Sequence, residues 1–481
     1  MNFVILTSLL RKTALVICSL IILHASVVGQ TPSEPEQMRL LNGLRVLLFP
    51  RPGEQDVLVK VRIHSGGAFD LAGKAGSMAL LGDILFPDPT TREYFSEGMQ
   101  GRLNVTTDYD SITITMLGKA REFERIIEIL RTALVTTQLT PENVAKTRDG
   151  RINVVRETSN SPGMLADRAI SARLFGDFPY GRPYVGTVES LERVDRADLM
   201  LARERFLNPN NASLVVIGGV QPSRAMRTLR QLLGVWRKSE QVIPATFRQP
   251  SAPDSRPLII NTPADQSVEV RLAVRGFARQ DPDAAAATVL ANVARQRWLK
   301  LLPDLARSPL FVRHDAYSLP GMFVMGATVE NLLAGRTLST AQEVIKSLVS
   351  SPVSVTELEQ ARSELAAQAN LAAQANKETI KQDLANAWLD IDTYGLPSLA
   401  EQRRAYTALS PNDLQRVAVR LFRDGTLASV VVGNSELVKT QLERIGKVEL
   451  MGELEPKSNP TETKSTSNSP KPQTKVVTKP E

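Results

Sequence analysis

The sequence predicts an α+β protein of two tandem homologous domains, each a mostly antiparallel sheet with helices packed on one face. Three observations carry this expectation. Period-two strands alternate with helical stretches: VLVKVRIHSGG (57–67) and VEVRLAVRG (268–276) place apolar side chains at every second position. The halves repeat one another. RADLMLARERFLNPNNASLVVIGG (196–219) matches PNDLQRVAVRLFRDGTLASVVVGN (411–434), and LTPENVAKTR from Leu139 matches VSVTELEQAR from Val353. Glu142/Glu357, Asp198/Asp413 and Gly218/Gly433 all share an offset of about 215 residues, far longer than a solenoid repeat. Finally, QVIPATFRQPSAPDSRP (241–257) is polar and proline-marked, and reads as a linker between the halves.

Along the chain, residues 35–240 form the expected first domain and 258–452 the second. After the first strand comes a glycine-entered helix, GKAGSMALLGDILF (73–86). RLNVTTDYDSITITML (102–117) alternates as one or two further strands. EFERIIEILRTALVT (122–136) is an amphipathic helix with Ile126, Ile127, Leu130 and Leu134 on one face. Each half closes on a β-branched strand, SLVVIGG or SVVVGN. Strands and helices in this mixed order fit helices layered on a sheet.

The ends read differently. Arg11 and Lys12 precede the apolar TALVICSLIILHASVVG (13–29), so residues 1–29 are expected to be a signal peptide and the chain to be exported. The one cysteine, Cys18, lies inside that segment. A cleaved chain has no thiol, which excludes cysteine nucleophiles, disulfides and Cys-zinc sites. Residues 453–481 are rich in Pro, Ser, Thr and Lys with few large apolar residues, and are expected to be disordered. The net charge of +7 is spread out and aromatics are 5%, which argues against nucleic acid as a partner. No apolar run in the body approaches the ~20 residues of a membrane span, so membrane contact is expected only through the uncleaved leader.

At GKAGSMALLGDILF the sequence resembles the insulinase/pitrilysin-type metallopeptidases, the inverzincins, and in particular their processing-peptidase-like branch. The resemblance continues in RLNVTTDYDSITI, in FGDFPYGRPYVGTVESLERV (175–194) and in RFLNPNNASLVVIGGV (205–220). It covers nearly the whole body and implies tandem homologous domains. It also implies a zinc helix bearing H-x-x-E-H, with two imidazoles on the metal and the glutamate as base on the bound water. A carboxylate some 75 residues on would be the third ligand.

This sequence departs from that pattern at the decisive place. Aligned on Gly76, the first histidine position falls on Ala79, the glutamate on Gly82, the second histidine on Asp83 and the distal carboxylate on Glu157. The whole chain has only His24, His64 and His314, and His24 lies in the expected leader. No H-x-x-E-H or H-E-x-x-H site is therefore present anywhere. Asp83 and Glu157 could serve an oxygen-loving cation such as Mg²⁺ or Ca²⁺, or be a helix-end residue and a solvated helix residue. His64 and His314 could be a shared pair, or ordinary polar residues at strand ends. Asn104 could border a peptide-binding cleft, or be an edge asparagine. The family's Arg/Tyr pair in the second domain would fall near Leu305 or Ala306 and on Val312, with Arg307, Arg313 and Tyr317 off the family spacing.

The expected function is that of a non-catalytic homologue, without cofactor. It would pair as the inactive subunit with a zinc-bearing homologous peptidase around a peptide-processing chamber, in a bacterial periplasm. The alternatives are a stand-alone peptide-binding or scaffold protein of the cell envelope, or a metalloendopeptidase with an atypical metal site.

Overall fold

The computed structural model describes residues 34–159, 161–240, 247–248, 250–262, 267–302, 309–375 and 377–451. The expected leader, the expected tail, 241–246 at the start of the expected linker, and 303–308 fall outside them.

Two six-stranded sheets form, one per half. In the first, β1 (Glu36–Arg39), β2 (Arg45–Pro50), β3 (Asp56–Ile63), β4 (Arg102–Thr107), β5 (Ile112–Lys119) and β6 (Ala212–Gly218) lie in the order β1-β2-β6-β3-β5-β4. In the second, β7 (Leu258–Asn261), β8 (Ser267–Arg275), β9 (Leu310–Asp315), β10 (Met322–Glu330), β11 (Ala428–Gly433) and β12 (Glu449–Leu450) lie in the order β12-β7-β11-β8-β10-β9. Five strands repeat with the same polarity. β2 and β6 are parallel, as are β7 and β11, and the other neighbours among the five are antiparallel. Only the added edges differ, β1 running antiparallel to β2 and β12 parallel to β7. The stretch 102–117 resolves into two strands because Asp108 turns the chain, its carboxylate accepting from Asp110 N at 2.8 Å and Ser111 N at 2.7 Å.

Period-two alternation sorts the side chains of β3. Val57, Val59, Val61 and Ile63 face the half's own helices, α1 (Ser77–Asp83), α2 (Phe123–Arg131) and α5 (Pro222–Leu233). Ile126, Ile127, Leu130 and Leu134 are all buried in that core, as the helical spacing predicts.

The opposite face of each sheet is covered by a helix from the other half. The second half keeps α6 (Ala334–Ser350) on its own core and sends α7 (Lys377–Tyr394) across the first sheet, where Leu384, Ala385, Trp388 and Leu389 pack on Leu47, Phe49, Leu58, Val215 and Ile217. The first half sends α4 (Pro162–Phe175) across the second sheet, where Ala166, Ile170 and Leu174 pack on Ala273, Val324, Val430 and Val432. Burial on both faces explains why β6 and β11 are buried at every residue. The exchange is pinned by charge. Arg62 Nη1 donates to Asp390 Oδ1 of α7 at 2.5 Å, and Arg279 Nη2 to Asp390 Oδ2 at 3.0 Å. Lys60 Nζ donates to Asn386 Oδ1 at 2.6 Å. At the other crossing, Arg271 Nε donates to Asp167 Oδ1 of α4 at 2.6 Å.

The halves also meet at the β4–β5 turn. Asp110 accepts from Ser318 N at 2.8 Å and from Tyr180 OH at 3.2 Å, while Leu319 N donates to Tyr180 OH at 2.9 Å. Burial, and then the charge of Asp108, pushes the Asp110 carboxyl up to about 7.

Candidate functional site

Helix α1 is held at its start by an acid two turns earlier. The Asp70 carboxylate accepts from Gly76 N at 2.6 Å, Ser77 Oγ at 2.7 Å and Met78 N at 2.8 Å, satisfying N–H groups that the helix leaves open. Burial lifts this carboxyl to about 6 despite those bonds. Gly76 has φ +90°, and a Cβ there would stand 2.7 Å from Gly186 Cα. Glycine at both positions lets the loop and the helix start touch. The apolar face Leu80, Leu81, Ile84 and Leu85 is buried in the first core.

The four positions aligned with the zinc pattern do not form a metal centre. Ala79 is 1% exposed and offers no donor. A Cβ on Gly82 would lie 2.8 Å from Thr107 Oγ1 and 3.3 Å from Ile112 Cγ2, so β4 and β5 fill the place a glutamate stem would need. Asp83 ends α1, and its Oδ2 accepts from Arg151 Nε of α3 (Pro141–Ser159) at 2.6 Å. Glu157 lies on the same helix and is exposed; no hydrogen bond or ion pair joins it to Asp83 among the described residues. Zinc takes imidazole, thiolate and carboxylate donors in a compact set. One carboxylate already held by a guanidinium, beside an alanine and a glycine, does not fit it. Among the described residues no group of three or more His, Asp or Glu could hold a metal ion.

The two remaining histidines are not brought together. His64 bonds Ser213 Oγ through Nε2 at 2.9 Å and Thr393 Oγ1 through Nδ1 at 3.0 Å. Burial, then the charges of Arg62 and Arg45, lowers its pKa to about 3. His314 stands in the other sheet, where Nε2 accepts from Phe277 N at 3.0 Å, and burial lowers its pKa to about 4. Both are neutral structural groups near pH 7.

Asn104 is exposed on β4, opposite Thr115 of β5. β4 ends its sheet, and Arg102, Asn104 and Thr106 alternate outward along it. In the second half, Val312 sits in β9 opposite Met325, and Leu305 and Ala306 lie outside the described residues. Arg313 Nε donates to Asp315 Oδ2 at 2.8 Å, and the Tyr317 ring packs 4.8 Å from Tyr180 and 5.2 Å from Tyr109. These nearby groups are committed to ion pairing and packing.

Sequence reasoning missed Arg151 and Asp70. Arg151 stands six residues before Glu157, and a basic residue there is a faint signal that a lone acid on α1 needs a partner. Asp70, just before the glycine-rich entry, has the residue type that caps helices but not the usual adjacent position.

Residues 193–365 match the family described as "Peptidase M16 inactive domain". An uncharacterized zinc protease of Mycobacterium leprae is 24% identical over 200 residues, 40% of this chain and 45% of that protein. The mitochondrial cytochrome b-c1 complex subunit 1 of Bos taurus is 21% identical over 233 residues, 47% of each chain. The matches thus span about half the length of these curated relatives. A crystal structure of a protease from Helicobacter pylori superimposes with a TM-score of 0.74 at 17% identity, covering 83% of this chain and 100% of that one.

Proposed function

Because the chain is an insulinase/M16-type family member whose aligned positions lack a zinc donor set, we propose that it acts without catalysing, as the inactive partner of a zinc-bearing homologue. The observation that carries this reading is the closed site: Ala79 without a donor, Gly82 shut against Thr107, and Asp83 held by Arg151. Loss of the ligands left no buried unpaired charge on α1, so the fold stands without metal. The matched subunit of the Bos taurus complex is by its name a component of a larger assembly. In this reading the chain shapes one wall of a peptide chamber in the periplasm, and the partner supplies the zinc. The exposed edge of β4 around Asn104 supports a second reading, a stand-alone protein that holds an extended peptide by strand addition.

Size-exclusion chromatography of the full chain, alone and with an H-x-x-E-H homologue from the same organism, tests the first reading. A heterodimer at micromolar concentration that hydrolyses peptides, with zinc only in the partner, is the expected result. No complex would favour the second reading. Stoichiometric zinc in this chain, with cleavage lost in Glu157→Gln, would overturn both.

A further inference from the structure

The sheet edge opposite β4 carries a feature that the zinc-helix comparison does not touch. β1 ends the first sheet, and its outer side meets no strand among the described residues. Between β1 and α5 lies an open groove of about 720 Å³. Its floor is Met38 and Met226; its walls include Glu36, Arg227, Arg230 and Gln231. Glu36 and Met38 are two apart and so lie on one side of β1, the side α5 flanks.

The charge of this groove is unbalanced. Arg227, Arg230 and Gln231 stand at i, i+3 and i+4, all exposed on one face of the helix. Arg224, one residue row away, is paired with Glu124, whereas Arg227 and Arg230 make no ion pair among the described residues. The groove runs along the flank of α5 from Pro222 and Ser223 in its first turn to Arg230 in its last, and Gln221 gives that helix no side-chain cap. Set against these is one acid, Glu36. In the repeated half β12 holds the place beside β7 that β1 holds beside β2, so each sheet carries one added strand at this end, and β1 leaves its own outer edge open among the described residues.

We propose that the β1–α5 groove is a docking site for an extended acidic peptide segment of a partner protein, added to the sheet as a strand along β1 with its carboxylates against Arg227 and Arg230. Free backbone groups on an edge strand supply the pairing, and the two guanidiniums supply the selectivity. A second copy of this chain is a poorer occupant, because edge-to-edge pairing about a twofold axis brings two arginine-bearing helix faces toward each other. The chain's own C-terminal segment is poorer too, since residues 455–481 carry five lysines against three glutamates. The site lies at the other end of the sheet from Asn104 and does not rest on the partner reading above.

The test uses the full chain and a fluorescein-labelled octapeptide alternating valine and glutamate, followed by anisotropy at low salt. Binding in the micromolar range is expected. It should weaken at least tenfold in the double variant Arg227→Glu/Arg230→Glu, weaken at least tenfold between 50 and 500 mM salt, and vanish for a probe with prolines at alternate positions. Unchanged thermal unfolding of the variant shows that the loss is not one of folding. Equal binding of a valine–lysine octapeptide, binding that survives in the double variant, or no binding up to 1 mM would each overturn the proposal. So would concentration-dependent dimerisation lost in the same variant.

Discussion

Replacing Gly82 with alanine tests whether the former base position is closed by packing. Two effects oppose one another. In a helix interior, Gly→Ala gains about 1 kcal/mol by restricting the unfolded chain. Against this, the added Cβ would lie 2.8 Å from Thr107 Oγ1, 3.3 Å from Ile112 Cγ2 and 3.5 Å from Val105 Cγ1. The first contact is closer than van der Waals radii allow. The Ile112 contact is tight and the Val105 contact an ordinary one, so the collision with Thr107 is the main obstacle. Overpacking of this kind costs about 1–3 kcal/mol. The expected net effect is a destabilisation of about 1 kcal/mol, where an open helix position would show stabilisation. Urea unfolding followed by circular dichroism measures it, with Thr107→Ala and the double variant completing the cycle. Removing Oγ1 and Cγ2 of Thr107 opens the space, so Gly82→Ala should cost little or even stabilise in that background. The coupling expected is about 1 kcal/mol or more. A Gly82→Ala variant stabilised by about 1 kcal/mol in both backgrounds would refute the closed-site argument.

Asp390→Ala leaves Arg62 and Arg279 facing each other without their shared carboxylate, and is expected to cost about 3–5 kcal/mol by urea unfolding; a loss under 1 kcal/mol would count against the clasp. Gly76→Ala combines a left-handed φ with a collision against Gly186, and should cost about 3 kcal/mol, with lowered soluble yield as a second readout. The Asp110 carboxyl is raised in the folded state, so its contribution favours the fold below about pH 4 and is lost as pH rises through about 7. Asp110→Asn removes that loss, and the stability difference between variant and parent should therefore grow in the variant's favour from pH 4 to 7. His64 is depressed, so its contribution is complete above about pH 6.5 and declines as pH falls toward 3; His64→Gln should flatten unfolding midpoints across that window.

The repeated order of elements was legible because the first strand of each half alternates in period two and each half ends on the same β-branched run. The own-side helices followed from 3.6-residue spacing, as at Ile126, Ile127, Leu130 and Leu134. The reciprocal helices were not legible. Leu58, Lys60 and Arg62 look like the polar-facing register of a half-exposed strand, and nothing local says that Asp390 and Asn386, more than 320 residues away, will meet them. The vacancy of the zinc pattern was readable from three histidines in one chain. What replaced it was not, because the Asp83–Arg151 bond joins two helices whose packing depends on the whole first core.

The mutual loan of α4 and α7 bears on how this chain can be divided. Cut within 241–257, each fragment would keep a sheet with one bare apolar face and a helix with no sheet to lie on. Neither piece should behave as an autonomous folding unit, although each has the length and strand count of one. Mixed together, they have two complementary docking events to make rather than one. Covalent tethering turns that bimolecular encounter into a high effective concentration, which short linkers place in the millimolar range. The duplicated gene product is in this sense a fused swapped dimer, and fragment complementation would be its native mode of reassembly.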